Sequence, residues 1–160
     1  MIVIPVEPIW LDIAYDQPES INSLSVNKNS SITGKLGELA VCSYFADLGL
    51  DFSYVDRIDF DILVNNKRID VKSSRAPHYR KKEDDDALVT TYLRDHQDCD
   101  YYVFCCIDIP KEEVSLMGWC TKEWFWTTDK GKDYKTGEKV YSRRIKKEAR
   151  LLPYKYLLQV

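Results

Sequence analysis

The sequence predicts an α/β domain of the α+β kind, built on a central mixed sheet. Three observations carry this. Leu36, Leu39, Ala40, Ser43 and Leu48 recur at helical spacing within residues 31–49, residues 59–72 alternate as two strands about Asn65-Asn66, and residues 101–107 are a nearly continuous apolar run. The 160 residues, 44% hydrophobic and 31% charged, suffice for one soluble domain with a real core. We divide them into an N-terminal arm, residues 1–30, and a single domain, residues 31–160.

Residues 2–6 read as a short strand, and residues 7–30, with prolines, Ser and Asn in weak periodicity, as an irregular arm. Ser31 or Thr33 caps the first helix, and Gly49 ends it. Residues 51–56 suit a strand. In the hairpin, Asn tolerates positive φ, so Asn65 and Asn66 form the two-residue loop. Residues 75–86 read as a charged loop, and the acids that close it would begin a helix over 84–96, although residues 88–92 are also β-prone. The apolar run at 101–107 reads as a buried central strand and 114–120 as another. Thr121 opens a short capped helix, residues 128–142 read as a polar loop, and the last residues, 150–158, pack back on the core.

Composition narrows the function classes. The five cysteines (Cys42, Cys99, Cys105, Cys106, Cys120) show no CxxC pair, which argues against a zinc knuckle or disulfide framework and for a reducing, cytoplasmic setting. No run is long enough to span a membrane, and the start lacks the basic leader of a signal peptide. No Ser-His-Asp or Cys-His order and no Gly-rich phosphate loop appears. The two histidines, His78 and His96, are read as structural. The net charge of −3 is unevenly spread: acids predominate over residues 1–30 and bases over 130–155. The basic third can present a face to phosphates.

The hairpin carries the chemistry. With Asn65-Asn66 as its loop, Val64 lies opposite Lys67 and Asp61 opposite Asp70. Alternation then puts Asp61, Asp70 and Lys72 on one face. Like charges directly opposite repel, so two carboxylates there beside a lysine point to a bound partner, most simply a divalent cation. The triplet Asp70-Val71-Lys72 has one rival, Asp133-Tyr134-Lys135, which falls in the polar loop between Gly131 and Gly137 and is set aside. Asp59 competes with Asp61 but falls opposite Lys72 and ranks second. Glu38 borders the apolar stripe of the first helix and can point along a helix–sheet seam toward the hairpin.

Together these residues resemble the PD-(D/E)xK nuclease superfamily. The matching pieces are Glu38 on an N-terminal helix, Asp61 on one strand and Asp70-Val71-Lys72 on the next. The order of elements over residues 31–108 is similar to that family's αβββαβ, restriction-endonuclease-like core. One departure is Phe60, where the family often has proline before the first aspartate. The resemblance implies Mg²⁺, with Mn²⁺ as substitute, held by Asp61, Asp70 and the Val71 carbonyl. Glu38 would hold a second ion or orient a water. Lys72 would sit by the attacking water, orienting it, helping to deprotonate it or neutralising the transition state. Phosphodiester hydrolysis would leave a 5′-phosphate. Ser73, Ser74 and Arg75, directly after the triplet, and Arg80, Lys81 and Lys82 are the expected DNA contacts, with the basic run at 130–147.

The expected function is thus that of a metal-dependent DNA endonuclease. The alternatives are a non-catalytic nuclease-like DNA-binding or assembly protein, or a junction resolvase or exonuclease of the same fold. Cutting both strands of a duplex calls for two sites, hence a homodimer or larger symmetric oligomer. The apolar arm (Ile2, Val3, Ile4, Ile9, Trp10, Leu11) is a candidate interface, with packing on its own domain the alternative.

Overall fold

A computed structural model describes residues 1–16, 28–55, 57, 59–75, 86–140 and 143–159. The chain forms β1 (Ile2–Pro5), α1 (Pro8–Asp16) and the long α2 (Lys28–Asp47). Next come β2 (Phe52–Tyr54), β3 (Ile62–Val64), β4 (Lys67–Arg75), β5 (Asp86–Thr90) and the short α3 (Tyr92–His96). Then β6 (Tyr101–Asp108) and β7 (Glu113–Thr121) lead to α4 (Lys122–Thr127). Four small strands complete the chain: β8 (Lys132–Tyr134), β9 (Lys139–Val140), β10 (Arg143–Arg144) and β11 (Ala149–Pro153). The fold is mixed α+β. Its curled six-stranded sheet has the order β1-β7-β6-β4-β3-β2, and β4 and β6 are its parallel pair.

The central hairpin forms as its residue types require. Asn65 and Asn66 take φ of 47° and 60°, and Val64 pairs with Lys67. Two consecutive positive φ values match the right-handed twist of the flanking strands. Helix α2 stops at a Schellman motif: Gly49 (φ 68°) donates to the Ala46 carbonyl, and Leu50 donates to that of Phe45. Its buried Ile32, Leu36, Ala40 and Val41 pack on one sheet face with Val71, Val103, Cys105 and Ile107. The opposite face of β6 presents Tyr102 and Phe104 to a second core with Phe125, Leu152 and Tyr154. Because both faces of β6 are covered, its sequence reads as an unbroken apolar run.

Several expectations are corrected. Residues 8–16 of the supposed irregular arm are helical, and Trp10 and Ala14 are buried against the main core. Ile2, Ile4 and Leu11 also pack there, leaving Val3 and Ile9 exposed. The helix expected over 84–96 gives way, from residue 86 on, to a strand followed by one short helix. Ala87 and Val89 are buried while Leu88 between them is 46% exposed, so period 2 prevails in β5 over the helix-favouring acids before it. The supposed loop at 128–142 contains β8 and β9, whose Tyr134 and Val140 join a third cluster with Ile145, Ala149 and Leu151. Helix α4 forms as expected, with the Thr121 side chain accepting from the Trp124 N–H.

Arg150 explains why this polar region is ordered. Its guanidinium is buried, donating to the Phe125 carbonyl at 2.7 Å, to Asp133 at 2.9 Å and to the Thr128 carbonyl. Five fixed donors let one side chain tie α4 to β8. Asp133, set aside as a catalytic acid, has this structural partner. Arg150→Met is expected to leave two carbonyls without their donor, at about 1–3 kcal/mol each. A melting temperature within 2 °C of wild type would disprove that role.

All five cysteines are free thiols. Burial pushes Cys99 and Cys120 up to about 12, so neither is a nucleophile near neutral pH. Among the described residues, no helix is long and apolar enough to cross a membrane.

Candidate active site

The site grows from a mismatch of strand lengths. β3 pairs with β4 only as far as Ile62–Ile69, whereas β4 continues along β6 to Arg75. From Asp70 onward, β4 therefore has β6 on one flank and no ladder partner on the other among the described residues. Asp61 stands where β3 gives out. Its N–H donates to the Ile69 carbonyl at 2.9 Å, although Ile69 already pairs with Ile62. The direct Asp61–Asp70 pairing expected from the hairpin register is thus replaced by a local irregularity. The Asp61 carboxylate then accepts from the Val71 N–H at 2.7 Å, a side chain standing in for the missing strand.

This arrangement gathers the predicted residues. Asp61 and Asp70 are 8% and 5% exposed. Burial, then the nearby Asp70 and Glu38 charges, hold the Asp61 carboxyl well above the usual carboxylate range. Burial also raises Asp70, partly offset by Lys72 and by a hydrogen bond from Gln97. Lys72 forms an ion pair with Asp70 and lies over the Tyr102 ring, 5.7 Å from its centroid. Glu38 faces the site from α2, near enough for its charge to raise Asp61 and Asp70, and is held by Lys35 at 3.0 Å and by the Tyr54 hydroxyl at 2.5 Å. Such close approach of helix to sheet depends on Gly37: a β-carbon there would lie 1.9 Å from Ser73 Oγ.

The other predicted residues divide. Ser73 Oγ is buried toward α2, while Ser74 Oγ lies 3.5 Å from the Tyr154 hydroxyl on the opposite sheet face. Arg75 ends β4 in solvent. Arg80, Lys81, Lys82 and His78 lie outside the described residues. Sequence reading missed Gln97, Lys35 and Tyr54. Lys35 and Glu38 have the i,i+3 spacing of a helical ion pair and were legible in principle. Gln97 carried no signal, because only the fold brings it to Asp70.

The donor set suits a hard cation, although among the described residues no three His, Cys, Asp or Glu side chains form a ready-made cage. Mg²⁺ takes one or two carboxylates and keeps several waters. Asp70 Oδ2 is buried, and its partner is the Lys72 ammonium, in a hydrogen-bonded ion pair. A residue in a strand points its N–H and C=O to the same flank. The Val71 N–H bonds Asp61, so its carbonyl shares the open flank.

The raised carboxyls set a pH dependence. The folded protein keeps protons on Asp61 and Asp70 at pH values where the unfolded chain, with pKa about 4, has lost them. Metal-free stability is therefore lost as pH rises from about 4 toward the raised folded values. In EDTA, the melting temperature of Asp61→Asn minus that of wild type is expected to grow from pH 4.5 to pH 8. A constant difference in calorimetry would contradict the buried-charge account.

A cavity of about 430 Å³ lined by Val41, Phe45, Val64, Ile69 and Trp119 carries no acid in its wall and lies outside this cluster. No protein-family model, curated protein or solved structure matches the chain.

Proposed function

We propose that this protein is a metal-dependent DNA endonuclease of the PD-(D/E)xK type. The observation that carries the reading is the cluster of Glu38, Asp61, Asp70 and Lys72 at the unpaired flank of β4, with two buried carboxyls held against their own repulsion. The succession α2, β2, β3, β4, α3, β6 agrees with that family's core order, with β5 inserted.

In this reading Asp61, Asp70 and the Val71 carbonyl would hold Mg²⁺ or Mn²⁺, which when bound would supply a more acidic water and neutralise charge on the scissile phosphate. Lys72, next to Asp70, orients the incoming water and offsets the negative charge that builds on phosphorus. Water adds to phosphorus as the bond to the 3′ oxygen breaks, giving a 5′-phosphate and a 3′-hydroxyl. Glu38 accepts a hydrogen bond from water on the α2 side, its orientation fixed by Lys35 and Tyr54. Arg75 and the basic residues of the C-terminal third contact the phosphate backbone, by the usual release of counterions.

The test is purified protein on supercoiled, linear and branched DNA. Nicking with Mg²⁺ or Mn²⁺ that stops in EDTA is expected. DNA binding without cleavage in either metal would favour a non-catalytic binding role. We further propose that a symmetric dimer places one site on each strand; a monomer by sedimentation, free and on DNA, would exclude it.

A further inference from the structure

We propose that Gln97 is a positioning residue of the cation site, fixing Asp70 through its amide N–H and accepting from the ion's hydration shell through its carbonyl. This rests on the cation site proposed above. Gln97 follows α3 and is 5% exposed. Its Nε2 donates to Asp70 Oδ1. Against the ionised carboxylate that a cation requires, the opposite amide orientation would set two acceptors against each other, so Nε2 is the atom that faces Asp70.

One oxygen is left over. Asp70 Oδ2 and Gln97 Oε1 are both buried, on side chains that bond each other. Asp70 Oδ2 has the Lys72 ammonium as its partner, whereas Gln97 Oε1 has no hydrogen-bond donor among the described residues. A buried acceptor without a donor is costly, and one set beside a carboxylate calls for a positively polarised partner. A hydrated divalent cation satisfies both oxygens: Asp70 as a direct ligand, Gln97 through a water, the usual role of groups behind metal-bound carboxylates.

The backbone holds Gln97 for this task. Its carbonyl accepts from Lys122 Nζ at the start of α4. The Asp100 N–H donates to the Arg68 carbonyl at 2.8 Å, and the Lys122 N–H donates to the Asp100 carbonyl at 2.9 Å. Arg68 also donates its backbone N–H and guanidinium to the Asp100 carboxylate. Residues 97–100 are thus tied to both β4 and α4. Such anchoring suits a residue that must hold a carboxylate in one rotamer.

Calorimetric titration of the full chain with Mn²⁺ at pH 7.5 tests the assignment. Gln97→Met keeps the volume and removes both polar ends; it is expected to weaken Mn²⁺ binding by about 10-fold or more. Asp70→Asn is expected to abolish it. Titration of ¹⁵N-labelled wild type with Mg²⁺ supplies a readout that needs no variant to fold: the Gln97 side-chain amide resonances should shift and saturate with the site. If Asp70→Asn loses Mn²⁺ while Gln97→Met binds like wild type, the role of Gln97 is overturned and the cation site stands. Unmoved Gln97 amide resonances through a saturating Mg²⁺ titration overturn it equally. If wild type binds no Mn²⁺, both readings fall.

Discussion

The Asp70→Asn protein will leave supercoiled DNA intact in Mg²⁺, yet melt above wild type in EDTA. The two effects have one cause. Asp70 is buried at the centre of the cluster, and burial has already raised its carboxyl. An asparagine there keeps an oxygen for the Gln97 amide, removes a charge that burial penalises and ends the repulsion with Glu38 and Asp61, which together outweigh the lost ion pair with Lys72. A gain of about 1 kcal/mol is a normal size for relieving strain at a functional site. The loss of activity is far larger. A cation at a phosphoryl group contributes several kcal/mol to the transition state, so losing its ligand lowers the rate by about 10³-fold or more. Lys72→Met, which leaves both carboxylates in place, should cost about 10²–10³-fold while Mn²⁺ still binds. Plasmid nicking assays and calorimetry on the same preparations separate the cases. An Asp70→Asn protein that cuts like wild type would remove the site from the hairpin altogether.

Gly37→Ala should destabilise the protein although alanine is the better helix former. Alanine gains about 1 kcal/mol over glycine in a helix interior. Against that, the new methyl would lie 1.9 Å from Ser73 Oγ and 3.1 Å from Ser73 Cβ. Even with Oγ rotated away, the carbon–carbon contact forces α2 outward, and overpacking of this kind costs about 1–3 kcal/mol. Glu38 is the next residue, so the displacement reaches the chemistry. The shift needed is a few tenths of an ångström, so the rate should fall by less than the roughly 10²-fold that a misplacement of about 1 Å can cost. Ser73→Ala removes Oγ, and in the double variant should recover part of both stability and cleavage. Neighbours in contact couple by about 0.5–3 kcal/mol, well within reach of denaturant titration. Purely additive losses would show that α2 approaches β4 less closely than the structure has it.

Legibility followed locality. The Asn65-Asn66 turn, the Gly49 stop and the Thr121 cap are written in residue types that act on their own backbone, and each forms as read. The choice of Asp61 over Asp59 came from the hairpin register, and the Asp61 carboxylate is the one buried against the Val71 N–H. The irregularity at Asp61 was not legible, because it arises where one strand ends before its partner. The strand β5 was hidden because its alternation is short and follows a run of acids that favours a helix start. The small strands after α4 depend on Arg150 finding carbonyls more than twenty residues away, which no local pattern announces. Gln97 was invisible for the same reason.

One consequence lies in the order in which the sheet is assembled. Strand β1 is an edge strand, yet its partner is β7, with Ile2 opposite Leu116 and Ile4 opposite Val114. During synthesis β1 emerges more than a hundred residues before the strand it pairs with. Its two core-facing residues, Ile2 and Ile4, have no sheet to rest on until β4, β6 and β7 are in place. Closing so long a loop is slow, and an unpaired apolar strand invites pairing with another chain. The nascent chain is therefore most open to aggregation in the interval before β7 emerges, and a factor that covers residues 2–5 during that interval would raise the yield of folded protein without altering its final stability.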